Sequence, residues 1–333
     1  PDEPLIEALR AAGSLADAGW KRTPELVAEL VTEVATSGDP VRGEAIYRRA
    51  ELQCVNCHAI AGAGAVVGPD LLSIGASAPV DYLIDSLLEP NDKVKEGYHS
   101  KVIETDSGGL YTGIVVTVAD GLWTLRQADG KLVRVLDEEI VDSADGRSLM
   151  PDGTVDGLTR QELVDLVAFL SRLGKVGEFS VDGRSLIRSW ETLVRTDEAH
   201  RLLNRTSHDS AATDDPSLVW RSIASRVGGV LPTVELSFFS VHPGIPPTGF
   251  VRFDVQVTSA GLAEISFGES DGLALWVDGV PTSLSGTWRG ELSEGKHRFV
   301  VAIDSTVRPE GITAELLPVD GGATLRPILA SGE

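Results

Sequence analysis

The fold prediction starts from the pentapeptide Cys54-Val55-Asn56-Cys57-His58. Its spacing is that of c-type haem attachment, in which two thiols bond to the haem vinyl groups and the adjacent histidine ligates the iron. The two cysteines are the only ones in the 333-residue chain. The rival interpretations are a thioredoxin-like redox pair and half of a zinc site. No βαβ pattern surrounds the motif and no second cysteine pair exists, so the sequence favours one covalently bound haem.

The sixth ligand of the iron has two candidates. Met150 is the only methionine of the chain and lies in the polar stretch 147–152, where a role as core filler is less natural than for most methionines. Pairing His58 with Met150 would raise the reduction potential. His99 is the rival and would give bis-histidine ligation, or it is a surface histidine at a helix–strand junction. The sequence favours Met150 as the ligand.

The other histidines lie outside the haem segment, and we expect them to be solvated or hydrogen-bonded: His200, His208, His242 and His297.

Pro69 follows the motif in the loop Gly68-Pro69-Asp70-Leu71. A ligating histidine normally donates its other ring N–H to an acceptor. Proline offers a carbonyl group without an N–H, so we expect the carbonyl oxygen of Pro69 to hold His58. The alternative is an ordinary proline turn.

Composition limits the possible partners. The formal net charge is −21, which argues against binding to nucleic-acid phosphates or to an anionic membrane surface. The acidity would steer the chain towards a basic patch on a redox partner protein, or it only keeps the chain soluble. No run of eighteen apolar residues exists, so we expect no transmembrane helix. Residues 1–4 lack the features of a signal peptide, which would lie upstream of this chain.

Periodicity divides the chain into four parts. Residues 1–37 have helical spacing, and residues 38–177 surround the haem motif with helices, the last behind a capping box at Thr159–Glu162. An inserted β-meander at 99–146 is indicated by β-rich stretches between turn signals. Its four predicted strands are Lys101–Thr105, Leu110–Val118, Leu122–Gln127 and Lys131–Leu136.

The last third of the chain is predicted as a linker and a β domain. Residues 178–225 indicate a linker with helical pieces, and residues 226–333 indicate a β-sandwich. Alternation of apolar and polar residues marks four of its strands: Phe250–Val257, Ala263–Phe267, Leu273–Val277 and His297–Ile303.

The order of these features resembles that of class I cytochromes c. That resemblance implies an all-α core in which the first and last helices cross, with Gly43 and Tyr47 against Phe169, and in which the proline carbonyl binds the haem histidine. We therefore expect a multidomain α+β chain. It would combine an all-α class I cytochrome c core, an inserted small antiparallel β domain and a C-terminal β-sandwich.

A narrower resemblance covers about residues 38–175. The stretches 75–83, 89–91, 95–99 and 148–151 resemble the haem-binding domain family found in planctomycetes. It implies an extracytoplasmic location, periplasmic or extracellular, because covalent haem attachment occurs there. Residues 1–37 resemble the end of a helical-repeat array, which would make this chain the tail of a larger protein. The insertion at 99–146 would shield the haem edge, dock a partner or only decorate the fold.

The stretch from Glu269 to Gly279 resembles the core strand of protective-antigen-type β-sandwiches. Many of these bind sugars, some through calcium held by two consecutive acidic residues. Ser270 occupies the first of those positions and only Asp271 remains, which speaks against a calcium-dependent sugar site. The favoured alternative is that Asp271-Gly272 and Asp278-Gly279 are hairpin turns and that Trp276 packs in the core.

Three functions are consistent with these features. The first is single-electron transfer between a dehydrogenase-type donor and a respiratory acceptor, without enzymatic activity. The second is a haem enzyme or a gas or redox sensor, in which Met150 leaves the iron and opens a site. The third is a binding module, the sandwich, that tethers the cytochrome to a polysaccharide or a partner. No nucleophile–base–acid arrangement is evident.

Overall fold

The computed structural model describes residues 19–181, 183–240, 244 and 246–328. It divides into two compact units: the first extends to Ser180, and the second begins at Val181 and also takes in Gly62–Gly64. The part of the predicted N-terminal helical segment before Gly19 lies outside the described residues, as does His242. Among the described helices, none combines the length and the apolarity needed to cross a membrane.

Three helices of the first unit begin at residues whose side chains cap them. Thr23 caps the first of them, Asp39 the second, and the capping box predicted at Thr159–Glu162 is present. The α-helices of this unit are α1 (Pro24–Ser37), α2 (Pro40–Tyr47), α3 (Cys54–Cys57), α4 (Ile74–Ser77), α5 (Val80–Leu88) and α6 (Arg160–Leu170).

Helices α2 and α6 are in close contact. A Cβ on Gly43 would lie 2.0 Å from the carbonyl oxygen of Asp165, so only glycine permits this approach. The rings of Tyr47 and Phe169 pack with centroids 5.6 Å apart. The expected contact of Gly43 and Tyr47 with Phe169 is therefore present.

Asp165 joins the same two helices through polar bonds. It is 2% exposed, and it accepts hydrogen bonds from the guanidinium of Arg42, the backbone N–H of Asp39 and the side chain of Gln161. Burial raises the pKa of Asp165, but these hydrogen bonds outweigh burial and hold that pKa below its usual value. The carboxylate therefore fixes the start of α2 on α6.

Between α5 and α6 the chain forms a five-stranded antiparallel sheet of order β6-β5-β4-β3-β7. Ile103, Leu125 and Val135 are its buried core. The strands are β3 (Ser100–Thr105), β4 (Leu110–Ala119), β5 (Leu122–Arg126), β6 (Leu132–Leu136) and β7 (Ile140–Asp145). The first four overlap the predicted meander. The fifth was not predicted, because β7 is an exposed edge strand without apolar alternation.

The second unit contains two antiparallel sheets. The larger has the order β10-β9-β12-β17-β14-β15, with β11 and β19 also paired to β12, and the smaller has the order β16-β13-β18-β8. Their shared core includes Trp190, Phe253 and Phe299. The strands are β8 (Ser185–Leu186), β9 (Ser189–Leu193), β10 (Trp220–Ala224), β11 (Phe238–Phe239), β12 (Thr248–Ser259), β13 (Gly261–Ser266), β14 (Leu273–Val277), β15 (Val280–Thr282), β16 (Thr287–Leu292), β17 (Gly295–Asp304), β18 (Glu315–Leu317) and β19 (Thr324–Pro327). Helix α7 spans Asp197–Arg205.

The structure corrects the predicted fold class. The chain is mostly β-sheet, with 33% strand against 24% helix, so the all-α class I cytochrome c core is wrong. The short strands β1 (Ala59–Ile60) and β2 (Ala63–Gly64) pair directly after the Cys54–His58 motif. The turn between them is possible because Ala61 and Gly62 both have positive φ, which helical periodicity does not reveal.

Residues 178–225 were predicted as a linker with helical pieces; helix α7 lies in this stretch as predicted, but three strands lie there as well. Strands β8, β9 and β10 lie in this stretch and belong to the two sheets of the second unit. Trp190 and Leu193 of β9 are fully buried. These strands form by pairing with partners far along the chain, such as β12, so the local sequence carries little sign of them.

Candidate haem site

The first unit contains a cavity of about 700 Å³ whose lining is mainly apolar. This volume lies within the range of roughly 300–1,000 Å³ that is typical of small-molecule and cofactor sites. Cys54, Cys57, His58, Pro69 and Met150 all line it. The structure therefore brings together every site residue that the sequence predicted. Apolar walls come from α5 and α6, and one side chain, Ile114, comes from strand β4.

The two cysteines lie at the start and end of the single turn α3. Gln53, in the left-handed region with φ 59°, redirects the chain into this turn. Both thiols are free, and burial raises the pKa of Cys54 to about 11 and also raises the pKa of Cys57. Redox-active cysteine pairs have a lowered pKa. The thioredoxin-like interpretation therefore loses support.

His58 has one ring nitrogen committed to the protein. Its Nδ1 lies 2.8 Å from the carbonyl oxygen of Pro69, which is the hydrogen bond predicted from the sequence. Because a carbonyl oxygen only accepts, Nδ1 carries the proton and Nε2 carries the lone pair. Nε2 has no hydrogen-bond partner among the described residues. Burial lowers the pKa of His58, which favours the neutral ring that a metal requires.

Two further residues hold the histidine in place. The hydroxyl of Tyr47 donates to the backbone carbonyl of His58 at 3.1 Å. A Cβ on Gly68 would lie 2.5 Å from Cε1 of the ring, so the ring occupies the space that a side chain at this position would need. The imidazole therefore lies against the bare backbone of Gly68.

The loop that carries Pro69 folds back onto the motif through backbone bonds. The N–H of Gly68 donates to the carbonyl of Cys57 at 2.6 Å, and the N–H of Leu71 donates to Ala59 at 2.8 Å. Arg126 of strand β5 adds a bond from the inserted sheet, since its guanidinium donates to the carbonyl of Val66 at 2.7 Å. The sheet therefore supports the loop that orients His58.

Met150 lies in the loop between β7 and α6 and is partly buried. Its N–H donates to the hydroxyl of Ser148 at 3.1 Å. Asn91 accepts from the N–H of Ser148 at 2.9 Å and donates to Asp152 at 2.6 Å. The loop is thus bonded to the turn that follows α5.

His99, the rival ligand, is exposed and lies outside the lining of the cavity. His200 and His297 lie in the second unit with hydrogen-bond partners, and His208 packs edge-on against Phe250. The geometry therefore favours Met150 over His99 as the sixth ligand.

Sequence reasoning missed the roles of several residues around the site. In the sequence, Asn91 stands out only as part of the stretch 89–91, and Gly68 only as the start of a loop. For Tyr47 the helix contact was expected, but the bond to His58 was not. The available signal was their position near the motif, and their partners could be assigned only from the folded chain.

In the stretch 269–279 of the second unit, the predicted hairpin at Asp278-Gly279 is confirmed, but the turn at Asp271-Gly272 is not a hairpin, because β13 and β14 belong to different sheets. Asp278 and Gly279 both have positive φ and join β14 to β15, and Trp276 is 4% exposed. Asp271 is exposed, and its carbonyl oxygen accepts from the guanidinium of Arg308 at 2.8 Å. Trp276 thus packs in the core, as the favoured alternative predicted.

Neither a scan against models of protein families nor a search of curated proteins finds a match for this chain. The family resemblances therefore stay predictions, and the evidence for a haem site is the geometry of the cavity.

The residues present fit a covalently bound haem. The cavity offers two thiols three residues apart, an imidazole Nε2 with a free lone pair and one thioether, which are the groups that hold haem in c-type proteins. The bare backbone of Gly68 leaves room for the ring of His58 on the side of the loop. Cys54 and Cys57 would tether the haem, and His58 and Met150 would ligate its iron.

Proposed function

We propose that this protein is a monohaem c-type cytochrome that carries single electrons between a dehydrogenase-type donor and a respiratory acceptor. The observation that supports it best is the state of His58. Its Nδ1–H is used by the carbonyl of Pro69, and its Nε2 remains available in the cavity that both cysteines line. When bound, haem supplies an iron that gains or loses one electron.

The residues of the chain would set the properties of that iron. By accepting the N–H of His58, Pro69 would make the histidine a stronger ligand, and the Met150 thioether would raise the reduction potential. The apolar lining limits the access of water, which also bears on the potential. If His58 and Met150 both held the iron, they would leave no site on it for substrate, so we propose electron transfer rather than catalysis.

The proposed setting is the periplasm or the extracellular space, where covalent haem attachment occurs. The net charge of −21 favours redox partner proteins with a basic docking patch. These proposals depend on the haem, since nothing else in the chain indicates an electron carrier.

An alternative function is a haem enzyme or a gas or redox sensor. The observation in its favour is the exposure of the ion pair between Arg147 and Asp152, which lies within the Met150 loop. Exposed bonds of this kind contribute little to stability. Opening of this loop would free the sixth position of the iron.

The experiment is an absorption spectrum of the oxidised and reduced protein, for the natural chain and for Met150→Ala. We expect a haem spectrum with the weak long-wavelength band of iron–methionine ligation, and loss of that band in Met150→Ala. Leu132→Ala, an exposed position of the inserted sheet, is the control and keeps the band. A natural chain that lacks the band and looks the same after Met150→Ala would contradict His58/Met150 ligation. Rapid carbon monoxide binding would then favour the alternative.

A further inference from the structure

Met150 lies in the segment 148–152, which connects two parts of the first unit that are held more firmly. Before it, the hydroxyl of Ser100 donates to the carbonyl of Arg147 at 2.5 Å, and the carbonyl of Ser100 accepts from Gly146. After it, Val155 and Leu158 are buried. Met150 itself lies on an irregular stretch, so its position depends on side-chain bonds.

Asn91 supplies bonds at both ends of this stretch. Its Oδ1 accepts from the N–H of Ser148 at 2.9 Å, and its Nδ2 donates to Oδ1 of Asp152 at 2.6 Å. These partners are 57 and 61 positions away along the chain, so the contact exists only in the folded protein. If the amide of Asn91 were reversed, its NH₂ group would face the N–H of Ser148, and its oxygen would face the carboxylate of Asp152. Neither pair could form a hydrogen bond.

Asp152 extends the same arrangement. Its second oxygen, Oδ2, accepts from the guanidinium of Arg147 at 2.6 Å. Ser148 in turn receives the N–H of Met150 on its hydroxyl. A continuous set of hydrogen bonds therefore runs from Asn91 to the backbone of the methionine.

We propose that Asn91 is the positioning residue of Met150, holding the segment 148–152 so that the thioether stays at the haem cavity. This inference rests on the proposed function, because it assigns Met150 to the iron. It adds a residue that does not touch the haem but decides whether the sixth ligand is in place.

The pair Asn91 and Asp152 allows a charge-neutral exchange as the test. Asn91→Asp alone places two carboxylates against each other. Asp152→Asn alone leaves one amide oxygen for two donors, the amide of Asn91 and the guanidinium of Arg147, so one of the two bonds is lost. In the double variant, the carboxylate at position 91 accepts from Ser148 and from the new amide. The amide oxygen at position 152 still accepts from Arg147. The double variant should therefore restore every bond of the natural pair.

The full chain with attached haem is compared in five forms: natural, Asn91→Asp, Asp152→Asn, the double variant and Met150→Ala. We expect each single exchange to lower the long-wavelength iron–methionine band and to speed amide exchange at Ser148 on the order of tenfold. We expect the double variant to regain both. Asn204→Ala, an exposed helix position in the second unit, is the control and should change neither.

The amide-exchange measurement does not depend on redox activity, and it reports on the segment even if a variant loses the haem. Single variants that keep the band and the slow exchange, while Met150→Ala loses the band, would overturn this inference and leave the proposed function standing. A spectrum unchanged by Met150→Ala would overturn both.

Discussion

At the scale of single residues, the site is organised around the imidazole of His58. The carbonyl oxygen of Pro69 accepts the hydrogen bond of one ring nitrogen, and the hydroxyl of Tyr47 donates to the backbone carbonyl of His58. The backbone of Gly68 packs directly against the ring. Each contact restricts the motion of the ring before any metal binds, so less conformational freedom is left to be lost on binding. A ligand prepared in this way binds with less entropic cost.

Replacing Gly68 with alanine tests the importance of the close packing between the backbone of Gly68 and the ring of His58. The new Cβ would lie 2.5 Å from Cε1 and 2.7 Å from Nδ1 of His58, so the ring has to shift or rotate away from Pro69. We expect Gly68→Ala to lower the yield of haem-bound protein and to disturb the iron–histidine ligation, seen as a changed absorption spectrum of the reduced form.

Gly157→Ala is the matched control for that experiment, because a Cβ at Gly157 meets no atom within 4 Å. A Gly68→Ala protein with a natural spectrum and yield would show that the ring tolerates displacement.

At the scale of elements, the five-stranded sheet contributes to the site from two strands. Ile114 of β4 forms part of the cavity wall, and Arg126 of β5 holds the carbonyl of Val66 in the loop before Pro69. These two residues pair with each other in the register of β4 and β5, so they share one face of the sheet. The insertion is therefore part of the candidate haem site.

Arg126→Gln should loosen the loop that orients His58. A hydrogen bond from a charged donor contributes about 1.5–3 kcal/mol, and this one is only partly buried, so we expect a loss of about 1–2 kcal/mol in the free energy of unfolding. Denaturant unfolding measures the loss, and amide exchange at Gly68 should become faster. Arg134→Gln, an exposed position on the neighbouring strand β6, should change neither. Equal effects of both variants would argue against a role for Arg126.

In the second unit, His297 of β17 forms a hydrogen bond with Asp278 in the hairpin between β14 and β15. Its Nδ1 lies 2.6 Å from Oδ2 of Asp278, and its Nε2 lies 2.9 Å from the carbonyl of Ser293. Both partners are acceptors, so the doubly protonated ring satisfies both. Burial lowers the pKa of His297, but the bonds to Asp278 and Ser293 outweigh it and hold that pKa above its usual value.

This arrangement predicts a pH dependence of stability. A raised pKa in the folded state means that the contribution of His297 is complete below about pH 6.5 and is lost as the pH rises through the folded pKa. We expect the ring signals of His297 to titrate above 6.5 by NMR, and Asp278→Asn to lower that midpoint. Asp271→Asn, an exposed position in the preceding loop, should leave it unchanged. A midpoint at or below 6.5 in the natural chain would contradict the prediction.

At the scale of the whole molecule, charge is the dominant property. Fifty acidic residues against twenty-nine basic ones give the net charge of −21. Such a field attracts cationic partners at low ionic strength and is screened by salt, because the Debye length shrinks from roughly 30 Å at about 0.01 M to roughly 3 Å at about 1 M.

The charge predicts opposite salt effects on electron exchange with small mediators. We expect the rate with cationic hexaammineruthenium to fall as salt rises over this range, and the rate with anionic ferricyanide to increase. Stopped-flow oxidation and reduction of the haem measure both rates. Equal salt dependence for the two mediators would show that the charge near the haem differs in sign or size from the total.

The sequence by itself determined the local features of this protein. The Cys54–His58 motif lies within five residues, and helix caps such as Thr159 with Glu162 act over three residues, so both can be recognised without a fold. Strong alternation likewise marked strands such as β12 and β17. The bond from His58 to Pro69 was also predictable, because the two are only eleven residues apart and the chemistry of the ring demands an acceptor.

Only the tertiary structure decided the rest. It replaced the all-α core with a mostly β chain, added the exposed edge strand β7 and drew β8 to β10 into the sheets of the second unit. It also placed Asn91 against residues 57 and 61 positions away, and Arg126 against Val66. Edge strands lack apolar alternation, and bonds between distant residues depend on how the whole chain packs, so neither leaves a local pattern in the sequence.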